Sequence, residues 1–149
     1  MGTFVAPTDV IFNRGPIADP AAFAERAGAA SWLFLCGDEF AAMDGGMSYD
    51  QVRAAVPESE NIVSDPPREL TVDLVRTHVA ALDRLPRPTL VTCRAGPRSS
   101  AVAYIYAGLR VNASADEVLA CADADDAPFA ASAELRDFVR HALEELAST

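Results

Sequence analysis

The stretch TCRAGPRSS, residues 92–100, gathers a thiol, two guanidinium groups, two small residues and a pair of serines into one turn. A short apolar run, TLVT, leads into Cys93, and a long Ala-rich helical pattern leaves the turn. A strand that ends on cysteine and turns at once into a helix aims the sulfur at the helix N-terminus. Unpaired backbone N–H groups collect there, and their partial positive charge favours anions. The same field favours thiolate over thiol. Ala95 and Gly96 are small enough for the backbone to curl around a ligand. Arg98 offers a planar fork to two oxygens, and the Ser99 hydroxyl can hydrogen-bond the sulfur. Residues Arg94, Ala95, Gly96, Pro97, Arg98 and Ser99 thus form a candidate anion-binding loop around a sulfur nucleophile. Arg94 is either a second anion contact or a solvated loop residue. Pro97 removes one N–H donor from the cradle, or opens the helix at the position where that loss costs little. The plain alternative for the whole stretch is an ordinary strand-to-helix turn.

The elements that must position this loop are legible in outline. TFVA and VIFN, residues 3–6 and 10–13, flank Pro7-Thr8-Asp9 and predict an N-terminal β-hairpin or edge ribbon. Asp19 and Pro20 open a helix that Gly28 ends. SWLFLCG, 31–37, is a continuous apolar run of the length of a buried strand. Residues 38–60 are the least readable, with one short helix expected near 49–55. NIV, 61–63, predicts a strand running into Ser64-Asp65-Pro66-Pro67. Val72, Val75, Val79 and Leu82 mark one face of a helix over 71–85, which Pro86 and Pro88 stop. TLVT predicts the next strand, and a strongly apolar helix follows from about residue 98 to 109. Ser114 and Glu117 form a capping box. Leu135, Phe138, Val139, Ala142, Leu143 and Leu146 stripe a last helix over 133–147, and that stripe suits a core or a second subunit equally. Strands alternating with helices imply an α/β fold: a small, mainly parallel sheet flanked by helices, in one domain spanning residues 1–149. Ligands of such sheets bind beyond the carboxyl ends of the strands, where Cys36, Asp65 and Cys93 all fall.

Composition narrows the function classes. At 149 residues, half of them hydrophobic, the chain can bury a substantial core. No apolar run reaches the length of a membrane span, and MGTFVAPTDV lacks the basic start and apolar stretch of a secretory signal. A cytoplasmic protein with no membrane partner is expected. The net charge is −10, from 22 acidic residues against 12 basic ones, every one of them arginine. An acidic surface argues against nucleic acid, which needs a basic footprint, and repels polyanions at long range. A small anion held by local donors is compatible with it. Cys36, Cys93 and Cys121 are odd in number and widely spaced, so neither a disulfide framework nor a zinc site is indicated. His78 and His141 stand far apart and add no metal motif. His78 is expected on an exposed or half-buried helix face. Cys121 and Trp32 read as packing. Cys36 ends a strand beside the one carrying Cys93, which makes it a candidate resolving thiol or simply a small buried hydrophobe.

The loop resembles the Cys-x(n)-Arg-Ser signature shared by cysteine phosphatases and rhodanese sulfurtransferases. The wider pattern, TFVAPTDVIFNRGPIADPAAFAERAGAASWLFL and LVRTHVAALDRLPRPTLVTCRAGPRSSAVAYIYAGLRVNASADEVL, is similar to the bacterial phosphatase-like family found fused to β-lactamase-like hydrolases in sulfur metabolism. That resemblance implies the dual-specificity-phosphatase-like fold over most of the chain, residues 38–60 excepted. It implies that Cys93 attacks phosphorus to form a phosphocysteine, while Arg98 and the loop N–H groups hold the oxygens. Ser99 would then assist departure of the thiolate. It implies a proton donor on a loop upstream of the cysteine, a position that Asp65 in SDPPREL occupies; Asp-Pro is equally a common turn pair. No cofactor is implied. Two departures keep other readings open. Cys93 and Arg98 are separated by four residues, one fewer than in most phosphatases of this kind, and Thr92 stands where those enzymes carry histidine. The shorter loop matches that of rhodaneses, so a sulfurtransferase carrying a persulfide on Cys93 is the alternative to hydrolysis. A catalytically inactive module that binds anions or proteins is the third reading.

Overall fold

Leu90 and Val91, at the centre of the TLVT run, are fully buried, as a strand covered on both faces requires. Around that run the computed structural model, which describes residues 4–66 and 68–147, builds a four-stranded sheet. In chain order the elements are β1 (Val10–Phe12), α1 (Pro20–Ala27), β2 (Ser31–Phe34), a 3-10 turn (Asp38–Ala42), α2 (Tyr49–Ala55), β3 (Glu58–Asn61), α3 (Val72–Arg84), β4 (Thr89–Thr92), α4 (Pro97–Arg110), α5 (Ala115–Asp125), a second 3-10 turn (Pro128–Ala131) and α6 (Ala133–Ala147). The strands lie in the order β1-β4-β2-β3, every pair parallel. Their carboxyl ends therefore share one edge, and the loops that leave β1, β2, β3 and β4 meet there.

Period-two alternation splits the central strands between two cores. Leu33, Leu35, Val91 and Cys93 pack with Leu82, Val102 and Tyr106 from α3 and α4. Trp32, Phe34, Cys36 and Leu90 pack on the opposite face with Ala24 of α1 and Val52 of α2. Burial of each large apolar side chain contributes about 1.5–3 kcal/mol, so Trp32 and Phe34, at 0% and 1% exposure, anchor the second core. A further cluster joins α4, α5 and α6. Val139, Ala142, Leu143 and Leu146 belong to it, so the stripe of the last helix faces the core of its own chain.

Local chemistry sets the helix starts. Asp19 accepts from Ala22 N at 3.1 Å with Pro20 following it. Thr71 accepts from Leu74 N, and Ser48 and Ser114 close complete capping boxes with Gln51 and Glu117. α4 has no side-chain cap; it starts at Pro97, straight after Gly96, so its first N–H groups are available to the preceding loop.

Two expectations need correction. The N-terminal hairpin does not form among the described residues: residues 4–9 carry no strand, Thr3 lies outside the description, and Val10–Phe12 pairs in parallel with β4. Phe4 instead packs on Tyr104, ring centroids 6.1 Å apart, so the segment contributes a core side chain and no ladder. The third strand is Glu58–Asn61, ahead of the predicted 61–63. It is a partly exposed edge strand, and its polar residues hide it from hydrophobic patterning.

Candidate active site

β4 ends on Thr92, and the chain bends through Cys93–Gly96 into α4. Gly96 makes that bend with φ 114°, and a Cβ there would stand 2.3 Å from the Asn13 carbonyl oxygen, so the position admits only glycine. The turn folds the loop back over the Cys93 side chain. Cys93 Sγ accepts hydrogen bonds from Gly96 N at 3.1 Å and Ser99 N at 3.3 Å. These donors lie at the start of α4 and point at the sulfur. Cys93 is 6% exposed and opens into a cavity of about 360 Å³ that Asp65, Arg94, Pro97, Arg98 and Glu134 also line.

Arg98 reaches this cavity from the second residue of α4. Its NH1 donates to the Arg68 carbonyl at 2.7 Å and to the Ser64 carbonyl. Among the described residues its Nε and NH2 have no hydrogen-bond partner, so one edge of the fork is open to an oxyanion. Burial pulls the guanidinium below its ordinary value, and the charges of Asp65, Cys93 and Glu134 oppose that shift.

Asp65 comes to the same cavity, tied down by its neighbours. Its side chain is fully buried. One carboxylate oxygen accepts from Gly37 N at 3.2 Å and Arg68 NH1 at 3.0 Å. The other accepts from Arg94 Nε at 3.1 Å and NH2 at 2.7 Å. Four hydrogen bonds, three of them from guanidinium groups, thus tie this side chain to two arginines and to the loop after β2. In this arrangement Asp65 anchors the loops around the cavity. Arg94, in turn, is no solvated loop residue. It bridges the thiol loop to the loop after β3, also donating to the Pro66 carbonyl, with its guanidinium 5.9 Å from the Phe40 ring centre.

Cys36 lies close to this arrangement but on the other face of the sheet. It belongs to the core on the α1–α2 side of the sheet, whereas Cys93 belongs to the α3–α4 side. Burial pushes its thiol well up, with the negative charges of Asp65 and Cys93 adding to the effect. A thiol raised in this way is disfavoured as a thiolate, and its surroundings are those of a core residue. Among the described residues no group of His, Cys, Asp and Glu could hold a metal ion.

Two buried residues escaped the sequence reading. Asn13, at the carboxyl end of β1, is 1% exposed and hydrogen-bonds both ends of the loop. His78 in α3 is fully buried, where an exposed or half-buried position was expected. Its Nε2 lies 2.8 Å from Ser64 Oγ, which also donates to the Ile62 carbonyl at 2.8 Å. One consistent proton arrangement is Nε2–H to Ser64 and Ser64 O–H to Ile62. This stiffens the segment whose Ser64 carbonyl holds Arg98.

The fold has counterparts among solved structures. The chain superposes on Tk-PTP in the active form with a TM-score of 0.70 at 16% identity, covering 97% of this chain and 99% of that one. It superposes on the core catalytic domain of the PP-IP phosphatase SIW14 from S. cerevisiae, in complex with citrate, with a TM-score of 0.63 at 14% identity, covering 99% and 94%. For PTPMT1 the TM-score is 0.61 at 12% identity, covering 97% and 96%. No protein-family model matches the sequence, and no curated protein matches it. The chain shares the α/β fold of these phosphatase structures, and its described residues form a four-stranded parallel sheet and six α-helices. No helix among the described residues is long and apolar enough to cross a membrane.

Proposed function

We propose that the chain is a cysteine-dependent phosphatase acting on small phosphomonoesters. One observation carries this reading: Cys93 Sγ sits at the N-terminus of α4, accepts from Gly96 N and Ser99 N, and shares its cavity with the open edge of Arg98. In this reading the Cys93 thiolate attacks phosphorus; the S–P bond forms as the ester P–O bond breaks. Arg98 and the N–H groups of residues 94–96, 98 and 99 hold the three non-bridging oxygens of the phosphoryl group. Water then attacks the phosphocysteine, and the S–P bond breaks to return thiolate and inorganic phosphate. Ser99 stabilises the departing sulfur. In this reading Asp65 serves to hold Arg94 beside the loop, so the leaving oxygen takes its proton from solvent. That confines efficient turnover to esters of acidic alcohols such as phenols. No step calls for a cofactor.

A second reading is favoured by the same carboxylate. Transfer of a sulfane sulfur needs no proton donor: Cys93 thiolate attacks the outer sulfur of thiosulfate, the new S–S bond forms, and sulfite leaves with the electron pair of the broken bond. The four-residue spacing from Cys93 to Arg98 suits this smaller transfer, as does the resemblance to the domain fused to β-lactamase-like hydrolases. Intact-mass and peptide spectra after incubation with an aryl phosphate, and separately with thiosulfate, decide between them. Phosphocysteine on the Cys93 peptide with release of phenol supports hydrolysis. A persulfide there without phenol release at any pH from about 5 to 8 overturns it for the second reading. Neither adduct leaves a binding module.

A further inference from the structure

The amide of Asn13 has every hydrogen-bonding valence filled, and three of its four bonds go to the thiol loop. Its Oδ1 accepts from Cys93 N at 3.2 Å and from Ser99 Oγ at 2.8 Å. Its Nδ2 donates to the Cys93 carbonyl and to the Gly15 carbonyl, both at 2.9 Å. Gly15 N then donates to the Ala95 carbonyl at 2.8 Å. The first and last residues of the loop thus meet on one oxygen atom, supplied by the residue that follows β1.

The Ser99 hydroxyl has one hydrogen and three acceptors within reach. Asn13 Oδ1 is at 2.8 Å, the Gly96 carbonyl at 3.2 Å and Cys93 Sγ at 3.4 Å. The shortest contact belongs to Asn13. With the hydrogen there, a protonated Cys93 donates to Ser99 Oγ, and an ionised sulfur has backbone donors only. We propose that Asn13 is a positioning residue: it ties the two ends of the loop together and holds the Ser99 hydroxyl hydrogen away from Cys93 Sγ. The proposal rests on Cys93 being the working thiol of the proposed function. It adds that the hydroxyl turns to sulfur only when the departing thiolate outcompetes an amide oxygen.

The test reads the thiol directly, without turnover, so it stands whether the protein hydrolyses esters or transfers sulfur. The rate of Cys93 alkylation by iodoacetamide is followed against pH in the full chain, with the modified peptide identified by mass. The charged and titratable groups around the sulfur are Arg94 on the loop, Arg98 on α4, Asp65 after β3, Glu134 on α6 and Cys36 after β2. None is altered by the substitutions. Ser99→Ala should not raise the midpoint of the alkylation profile, because the hydroxyl is not donating to sulfur at rest; loss of the weak acceptor for the Cys93 S–H moves it, if at all, slightly down. Asn13→Ala should move it to lower pH by about one pH unit, the effect of one freed charge-assisted donor. The double variant Asn13→Ala/Ser99→Ala should lose that shift. A rise of the midpoint in Ser99→Ala overturns the proposal, since it would mean that the hydroxyl already serves the sulfur. An equal shift in Asn13→Ala with and without Ser99 overturns it too, leaving Asn13 a packing residue. Ser99→Ala decides the matter if the Asn13 variants do not fold.

Discussion

Arg94 grips Asp65 through two nitrogens, Nε at 3.1 Å and NH2 at 2.7 Å from a single carboxylate oxygen. Asp65 is fully buried, while Arg94 and Arg68 keep 29% and 40% of their side chains exposed. The carboxylate is therefore out of water and stabilised by its partners alone. Asp65→Asn sets an amide NH2 against a guanidinium, and urea unfolding should show a loss of about 2 kcal/mol. Kinetics separate an anchor from an acid. If Asp65 only holds Arg94, Asp65→Asn lowers turnover of aryl and alkyl phosphates by the same factor. A loss at least about tenfold larger for the alkyl ester would restore the proton-donor role.

Arg98 has no substitute in the cavity. Its NH1 is held by two carbonyls, which aims the remaining edge of the fork. Arg98→Lys keeps the charge but loses the fork. Both Arg98→Lys and Arg98→Ala should lower kcat/KM for an aryl phosphate by about a hundredfold or more, with the thermal midpoint of the lysine variant near that of the parent. Recovery of most activity by lysine would show that only charge is needed.

Cysteine substitutions should separate the roles of the thiols. Cys93→Ser removes the nucleophile and should abolish the covalent adduct from either donor, lowering turnover by about a thousandfold or more. Cys36 lies in the opposite core with its thiol pushed up, so Cys36→Ala should leave adduct formation and its sensitivity to peroxide unchanged. It should cost stability alone, about 1 kcal/mol by urea unfolding. A Cys36–Cys93 disulfide found after peroxide treatment would reinstate the resolving role.

The parts of this fold that sequence reveals are those decided locally. Asp19-Pro20, Ser114…Glu117 and the TLVT run each carry their own signal within a few residues, and the structure places the corresponding elements there. What sequence hides depends on partners far along the chain. Val10–Phe12 resembles half of a hairpin until β4 pairs with it. Asp65 and Arg94 have no spacing that announces an ion pair. Asn13 had one usable clue, a polar residue ending a strand at the sheet edge where sites lie. His78 had a better one: it falls three residues after Val75 and four before Leu82, on the buried face of α3.

Gly96 offers a test of the loop geometry as a whole. Its φ of 114° and the 2.3 Å that would separate a Cβ from the Asn13 carbonyl oxygen leave no room for a methyl group. Gly96→Ala should displace the loop, remove the Gly96 N–H from Cys93 Sγ, and cost about 2–4 kcal/mol in unfolding free energy. Cys93 alkylation near neutral pH should slow as the sulfur loses a donor. An alanine variant with parental stability and thiol reactivity would mean that the tight turn is not what poises Cys93.

His78 gives the fold a predictable acid limit. Burial lowers its imidazole from the ordinary 6.5 to about 4, and among the described residues its Nδ1 has no hydrogen-bond partner. In the unfolded chain the ring takes up a proton near pH 6.5; in the folded chain it resists until about pH 4. The unfolded state therefore binds more protons in that window, and stability falls as pH drops from 6.5 toward 4. The full effect of one such group is up to about 3 kcal/mol. His78→Gln keeps a donor for Ser64 Oγ and has nothing to protonate. Its urea midpoint should fall less steeply than the parent's between about pH 7 and 4.5, because one proton-linked contribution is gone. Parallel pH profiles for the two proteins would show that the ring takes up its proton at the same pH folded and unfolded, and that burial does not lower it.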